Sequence, residues 1–84
     1  MSLRDMASIY SDEYQLVINT LRDARIAQGM TQERLARMLE RPQSFVAKVE
    51  SGERRLDVVE FVRIASLLGI DPREVVGRIV GAGL

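Results

Sequence analysis

The sequence predicts an all-α fold, one compact domain of five helices, on three observations. Apolar residues recur at i, i+3 and i+4 in several stretches, the spacing of one helix face. Helix start and stop signals alternate along the chain, with Thr31, Asp57 and Asp71 opening apolar-periodic runs and Gly29, Gly52 and Gly69 closing them. A chain of 84 residues with 46% apolar residues can bury one core but not two, and is too apolar to stay disordered. The domain is expected to cover residues 12–84. Residues 1–11 carry no sustained periodicity and are expected to form a loose arm, in which Arg4 alone would favour wrapping around a nucleic acid.

The first helix is expected from Asp12 or Glu13 to Gln28, with Gly29 ending it. Tyr14, Val17, Ile18, Leu21 and Ala24 form its apolar stripe, and Arg25 falls inside that same stripe. A charge facing a core needs a partner, because leaving it bare costs several kcal/mol. Glu50, at the edge of a later helix beside its apolar face, is the best candidate.

Residues 31–52 read as two short helices joined by a tight turn. Thr31 caps the first, and Leu35, Ala36 and Leu39 share one face; Arg34 at the third position precludes a reciprocal capping box. Pro42 disfavours helix in the residue before it and suits the first position of the next helix. That helix runs from Gln43 to about Ser51 and stops at Gly52. Phe45, Val46 and Val49 occupy one arc of it, with Phe45 read as core or turn packing, and Gln43, Ser44, Ala47 and Lys48 the opposite one. The outer face is therefore short and polar, compact enough to enter the major groove of DNA.

The fourth helix opens at Asp57 with Glu60 as a capping box. Phe61, Ile64, Ala65 and Leu68 form its core stripe, and Leu56, Val58 and Val62 are expected to flank it. Asp71-Pro72-Arg73-Glu74 starts the last helix, which carries Val75, Val76, Ile79 and Val80. This is more apolar surface than a small five-helix core needs. Either the helix packs back on the first one, or Val76, Ile79 and Val80 form a symmetric contact with a second copy. Gly77 and Gly81 share a face and would allow close approach.

Leu21, Arg22 and Arg25, then Gly29-Met30-Thr31-Gln32, Leu35-Ala36, Gln43-Ser44, Val46 and Glu50-Ser51-Gly52, resemble the helix-turn-helix of lambdoid phage repressors, the Cro/CI-type or xenobiotic-response-element-type family. The likeness spans about residues 14–76. It implies a lambda-repressor-like fold, a tie between Arg25 and Glu50, and a Gln32 that contacts phosphate and braces the first glutamine of the recognition helix. It also implies a homodimer on two half-sites. Three positions depart from the family pattern, one of them Arg34, which precludes the capping box with Thr31. Glu40 stands where Gly is usual, so the turn is expected to be less tight or differently shaped. Ala47 stands where a polar residue is frequent, which weakens direct readout there.

The expected contacts follow from side-chain chemistry. Gln43 offers a donor and an acceptor together, matching adenine N6 and N7. Ser44 can bond to a base edge or a phosphate, Lys48 can reach guanine or the backbone, and Ala47 can touch a thymine methyl or simply permit close approach. Arg41, Arg54 and Arg55 are phosphate candidates, although Glu53-Arg54-Arg55 also reads as a solvated loop.

Composition narrows the alternatives. The chain has no Cys, no His and one Lys, so disulfides, thiolate metal sites and the commonest general base are absent; no metal, cofactor or enzymatic activity is expected. No apolar run reaches membrane-spanning length, and a cytoplasmic protein is expected. Net charge is zero, which argues against nucleic acid. However, residues 22–55 hold eight bases against five acids, a local +3 offset by −3 elsewhere. The primary reading is therefore a DNA-binding transcriptional regulator, a repressor on a palindromic operator. The alternative is a protein-interaction or antitoxin-like module that keeps the fold with a weak DNA surface.

Overall fold

The computed structural model describes residues 11–81. Within them run α1 (Asp12–Ala27), α2 (Gln32–Met38), α3 (Gln43–Ser51), α4 (Val58–Leu67) and α5 (Pro72–Gly81), with no strand. Apart from Ser11, the expected arm lies outside the described residues.

Local chemistry sets most of the boundaries. The Ser11 hydroxyl accepts the Tyr14 N–H at 3.2 Å, and that of Thr31 accepts the Arg34 N–H at 3.1 Å. Asp57 and Glu60 form a full capping box, each carboxylate accepting the other's backbone N–H, at 2.7 and 3.0 Å. Asp71 accepts the Arg73 N–H at 2.9 Å. Only α3 begins on a residue with no side-chain cap. Pro42 is its cap residue, extended at ψ 152°, and not the first helical residue that the sequence suggests. The chain leaves the preceding turn extended at Pro42, and helical geometry resumes only at Gln43.

Three helix ends close in the same way. After α1, the N–H of Met30 donates to the Arg25 carbonyl and that of Gly29 to Ile26; after α4, Ile70 donates to Ala65 and Gly69 to Ser66. This pair of bonds satisfies carbonyls that the helix itself leaves open, and it needs a left-handed residue. Gly29 and Gly69 supply it at φ 67° and 72°. After α2 the same two bonds form, Arg41 to Ala36 at 2.9 Å and Glu40 to Arg37 at 3.1 Å, with Glu40 at φ 57°. Glu40 therefore does not alter the shape of the turn, contrary to expectation. It adopts the glycine conformation, because the bonds to α2 outweigh the strain. Left-handed backbone costs an L-residue about 1–2 kcal/mol, whereas glycine costs about 0.4–1 kcal/mol through the greater freedom of the unfolded chain. Glu40→Gly is thus expected to stabilise the domain by about 0.5–1 kcal/mol, read as a higher denaturation midpoint at unchanged slope.

The core is assembled from all five helices. Leu21 of α1, Leu35 and Ala36 of α2, Val46 of α3, and Ile64, Ala65 and Leu68 around α4 pack with Met30 in one cluster. Ile18, Val49 and Val75 are also buried, Ile18 and Val75 completely. Each such aliphatic side chain contributes about 1.5–3 kcal/mol by leaving water. α2 packs on α3, α1 against α3 and α5, and α4 against α5. Two long-range bonds pin the connections. Gln28 Nε2 donates to the Leu68 carbonyl at 2.6 Å, and the Tyr14 hydroxyl accepts the Leu56 N–H at 3.2 Å. Val58 and Val62 do not flank the core as expected; they are 77% and 40% exposed. The core closes over the narrow stripe of Phe61, Ile64, Ala65 and Leu68 and leaves the sides of α4 in solvent.

Candidate nucleic-acid interface

α3 is held by its inner face and open on its outer one. Val46 and Val49 are buried, with Phe45 half-buried beside them. Gln43, Ser44 and Lys48 are exposed, whereas Ala47 is half-buried, so the outer surface is offered chiefly by the other three. The first turn of α3 meets no capping side chain.

Behind this face runs a connected set of polar side chains. Arg25 donates from Nε to Glu50 Oε2 at 2.7 Å and from Nη2 to Oε1 at 3.0 Å, a two-point ion pair in which each side chain is 11% exposed. Arg25 Nη1 also donates to the Met30 carbonyl at 2.6 Å. The pair ties α1 to α3, and the carbonyl bond ties both to the loop before α2. Gln32, at the start of α2, donates from Nε2 to Glu50 Oε1 at 2.9 Å, and its Oε1 accepts from Gln43 Nε2 at 2.8 Å. The exposed glutamine of α3 is thereby joined to the ion pair through one intermediate amide. The step from Gln32 to Glu50 carries no sequence signal, because both residues are ordinary exposed-helix types 18 positions apart.

The basic residues around α3 are held as well. The guanidinium of Arg41 lies 4.6 Å from the Phe45 ring centroid and that of Arg54 5.1 Å from it. Glu60 bridges the two, accepting from Arg41 at 3.2 Å and from Arg54 at 2.8 and 3.0 Å. Phe45 is thus partly covered by cations, a role its place on the apolar arc conceals. Arg55 is exposed, with its guanidinium 4.9 Å from the Tyr14 ring centroid. The bond from the Asp57 backbone N–H, and then the bond from Arg54, hold the Glu60 carboxyl below the usual carboxylate range. A depressed folded-state value means that Glu60 contributes stability at neutral pH, which is lost as pH falls through the carboxylate range. Glu60→Gln is therefore expected to flatten the fall in stability between about pH 5 and pH 3, checked by urea melts across that window.

The residues read as a self-contact lie on α5, remote from this face in sequence. Val76 and Val80 are 49% and 63% exposed and Ile79 is half-buried. Val76 and Ile79 line a surface groove with Tyr14, Val17, Leu56 and Val58. Among the described residues, no carboxylate cluster could hold a metal ion, and no helix is long and apolar enough to cross a membrane.

Comparison with known proteins agrees with this geometry. A family model described as helix-turn-helix matches residues 21–75, from the middle of α1 into α5. The fold superposes on a solved XRE-family like protein from Pseudomonas syringae pv. tomato str. DC3000 with a TM-score of 0.82. The two chains are 40% identical over 96% of this chain and 99% of the other. None of the curated proteins compared with the chain matches it. The match over most of the chain and the level of identity carry one conclusion: the chain belongs to the Cro/CI-type, or xenobiotic-response-element-type, family of helix-turn-helix DNA-binding regulators.

Proposed function

We propose that the protein is a repressor that binds a palindromic operator as a homodimer, each copy placing α3 in the major groove of one half-site. The observation that carries this reading is the outer face of α3, where an exposed Gln43 is braced at 2.8 Å by Gln32 beside exposed Ser44 and Lys48. Bracing lowers the entropy that a long amide loses on engaging a base, so the donor–acceptor pair suited to adenine is presented in advance. Ser44 and Lys48 add a base-edge or phosphate bond each, and Ala47, half-buried, lets the backbone approach the groove. Gln32, Arg41, Arg54 and Arg55 surround the helix as phosphate contacts that set register without carrying sequence. Regulation on this reading is by occupancy, with no chemistry and no cofactor, in the cytoplasm.

Zero net charge, together with Glu60 offsetting two of the arginines, favours a second reading, a protein-interaction module that binds DNA weakly. Selection of bound duplexes from a random pool separates the two. The repressor reading expects a palindrome with half-sites about one helical turn apart. Gln43→Ala is expected to lose the preference at one position of each half-site, by about 1–3 kcal/mol, or roughly 5- to 150-fold. A folded protein that enriches no sequence would overturn the repressor reading in favour of the interaction module.

A further inference from the structure

The ion pair between Arg25 and Glu50 does more than join two helices, because Glu50 also anchors the amide chain that ends on Gln43. A carboxylate carries only acceptors. Gln32 must therefore face Glu50 with Nε2, as it does at 2.9 Å, which turns its Oε1 toward Gln43. That oxygen accepts, so Gln43 must spend one N–H on it, at 2.8 Å. What remains on Gln43 is its Oε1 and a single N–H, one acceptor and one donor. This is the pattern that adenine N6 and N7 require. Were the chain reversed, Gln32 would donate to the Gln43 oxygen, leaving both Gln43 N–H groups outward. Two donors suit guanine, whose N7 and O6 both accept.

We infer that Glu50 is a specificity-determining positioning residue: its negative charge, relayed by Gln32, fixes the direction of the Gln43 amide and so sets adenine over guanine. The inference rests on the proposal that Gln43 reads a base. Glu50 itself does not touch DNA. Arg25 contributes by holding both carboxylate oxygens, so that Oε1 stays aimed at Gln32.

The test uses the full 84-residue chain and the duplex recovered by selection, in versions differing only at the base pair whose preference Gln43→Ala removes. The readout is the ratio of affinities for adenine and guanine there. Glu50→Gln replaces an obligate acceptor by an amide that can present either group, and is expected to lower that ratio roughly three- to tenfold, the weight of one ordinary hydrogen bond. Gln32→Met, which leaves the ion pair intact, is expected to lower it similarly. The decisive variant combines Glu50→Gln with Gln32→Glu. It moves the carboxylate one step along the chain at constant net charge, again obliges Gln43 to donate, and is expected to restore the adenine preference. A merely structural role for Glu50 predicts no such rescue. All measurements are made where circular dichroism shows each variant folded, so lost stability cannot imitate lost preference.

A second readout needs no DNA. In the free protein the Gln43 side-chain amide should exchange slowly with solvent, and faster in Gln32→Met and Glu50→Gln. Slow exchange in the native chain with no selected sequence would overturn the base-reading proposal while locating the fault there. An adenine preference unchanged in folded Glu50→Gln, or not restored in the double variant, would overturn the inference itself.

Discussion

Arg25→Ala is expected to destabilise the domain by about 3 kcal/mol. The substitution strands Glu50, a carboxylate only 11% exposed, without its cation, and leaves the Met30 carbonyl without the donor it has at 2.6 Å. Removing one partner of a buried pair costs about 3–5 kcal/mol, and the tenth of each side chain still in contact with water argues for the lower end. A domain of this size has roughly 5–10 kcal/mol of stability in all, so the melting temperature should fall by about 12–24 °C. Replacing both partners by apolar residues of similar volume, Arg25→Met with Glu50→Leu, should recover part of the loss, since the orphaned charge is removed while the Met30 carbonyl and the Gln32 amide stay without these partners. A single-variant loss under about 1 kcal/mol in urea would show that the pair is solvated in solution. By contrast, Arg73, paired with Asp71, is 91% exposed, and Arg73→Ala, which leaves the Asp71 cap in place, should change stability little.

Val76→Gln combined with Val80→Gln is expected to leave the fold intact and to lower affinity for the full operator roughly 100-fold or more, under the proposal of a dimeric repressor. Both valines are about half or more exposed, so polar replacements cost the single chain little. Two coupled half-sites gain roughly 10²–10⁴ in affinity over one, and that gain is lost once the copies separate. Glutamine is chosen because it keeps the net charge unchanged, so any loss of binding is not electrostatic. Affinity for a single half-site should stay as it was. Light scattering should show the native protein as a dimer and the variant as a monomer at the same concentration. Full-operator affinity retained by a monomeric variant, or a native protein that is itself monomeric, would remove α5 from the interface.

Legibility in the sequence depended on range. Helix starts at Thr31, Asp57 and Asp71, and ends at Gly29, Gly52 and Gly69, follow from bonds spanning two to five residues, so local composition encodes them, whereas the cap at Ser11 lies in what the sequence reads as the arm. The link between Arg25 and Glu50 spans 25 residues yet was readable, because a guanidinium on an apolar stripe demands a partner. Glu60 was readable only as a capping residue. Its hold on Arg41, 19 positions back, answers to no periodicity and emerges only when α4 packs beside the turn. Glu40 points to a different turn because it replaces the family's usual Gly, whereas three-dimensional closure requires the left-handed backbone whatever the residue.

The amino-acid order alone thus determined five helices, the caps of three of them at Thr31, Asp57 and Asp71, a recognition helix with one apolar and one polar face, and a charged residue in need of a partner. Each of these is settled by neighbours within a turn or two of helix. Tertiary structure decided which valines of α4 and α5 stay in solvent, that Phe45 lies beneath two guanidiniums, and that Glu50 reaches Gln43 through Gln32. The physical reason is that hydrogen-bond direction and residual exposure belong to pairs of surfaces, and those surfaces exist only once α1, α2, α3 and α4 have met.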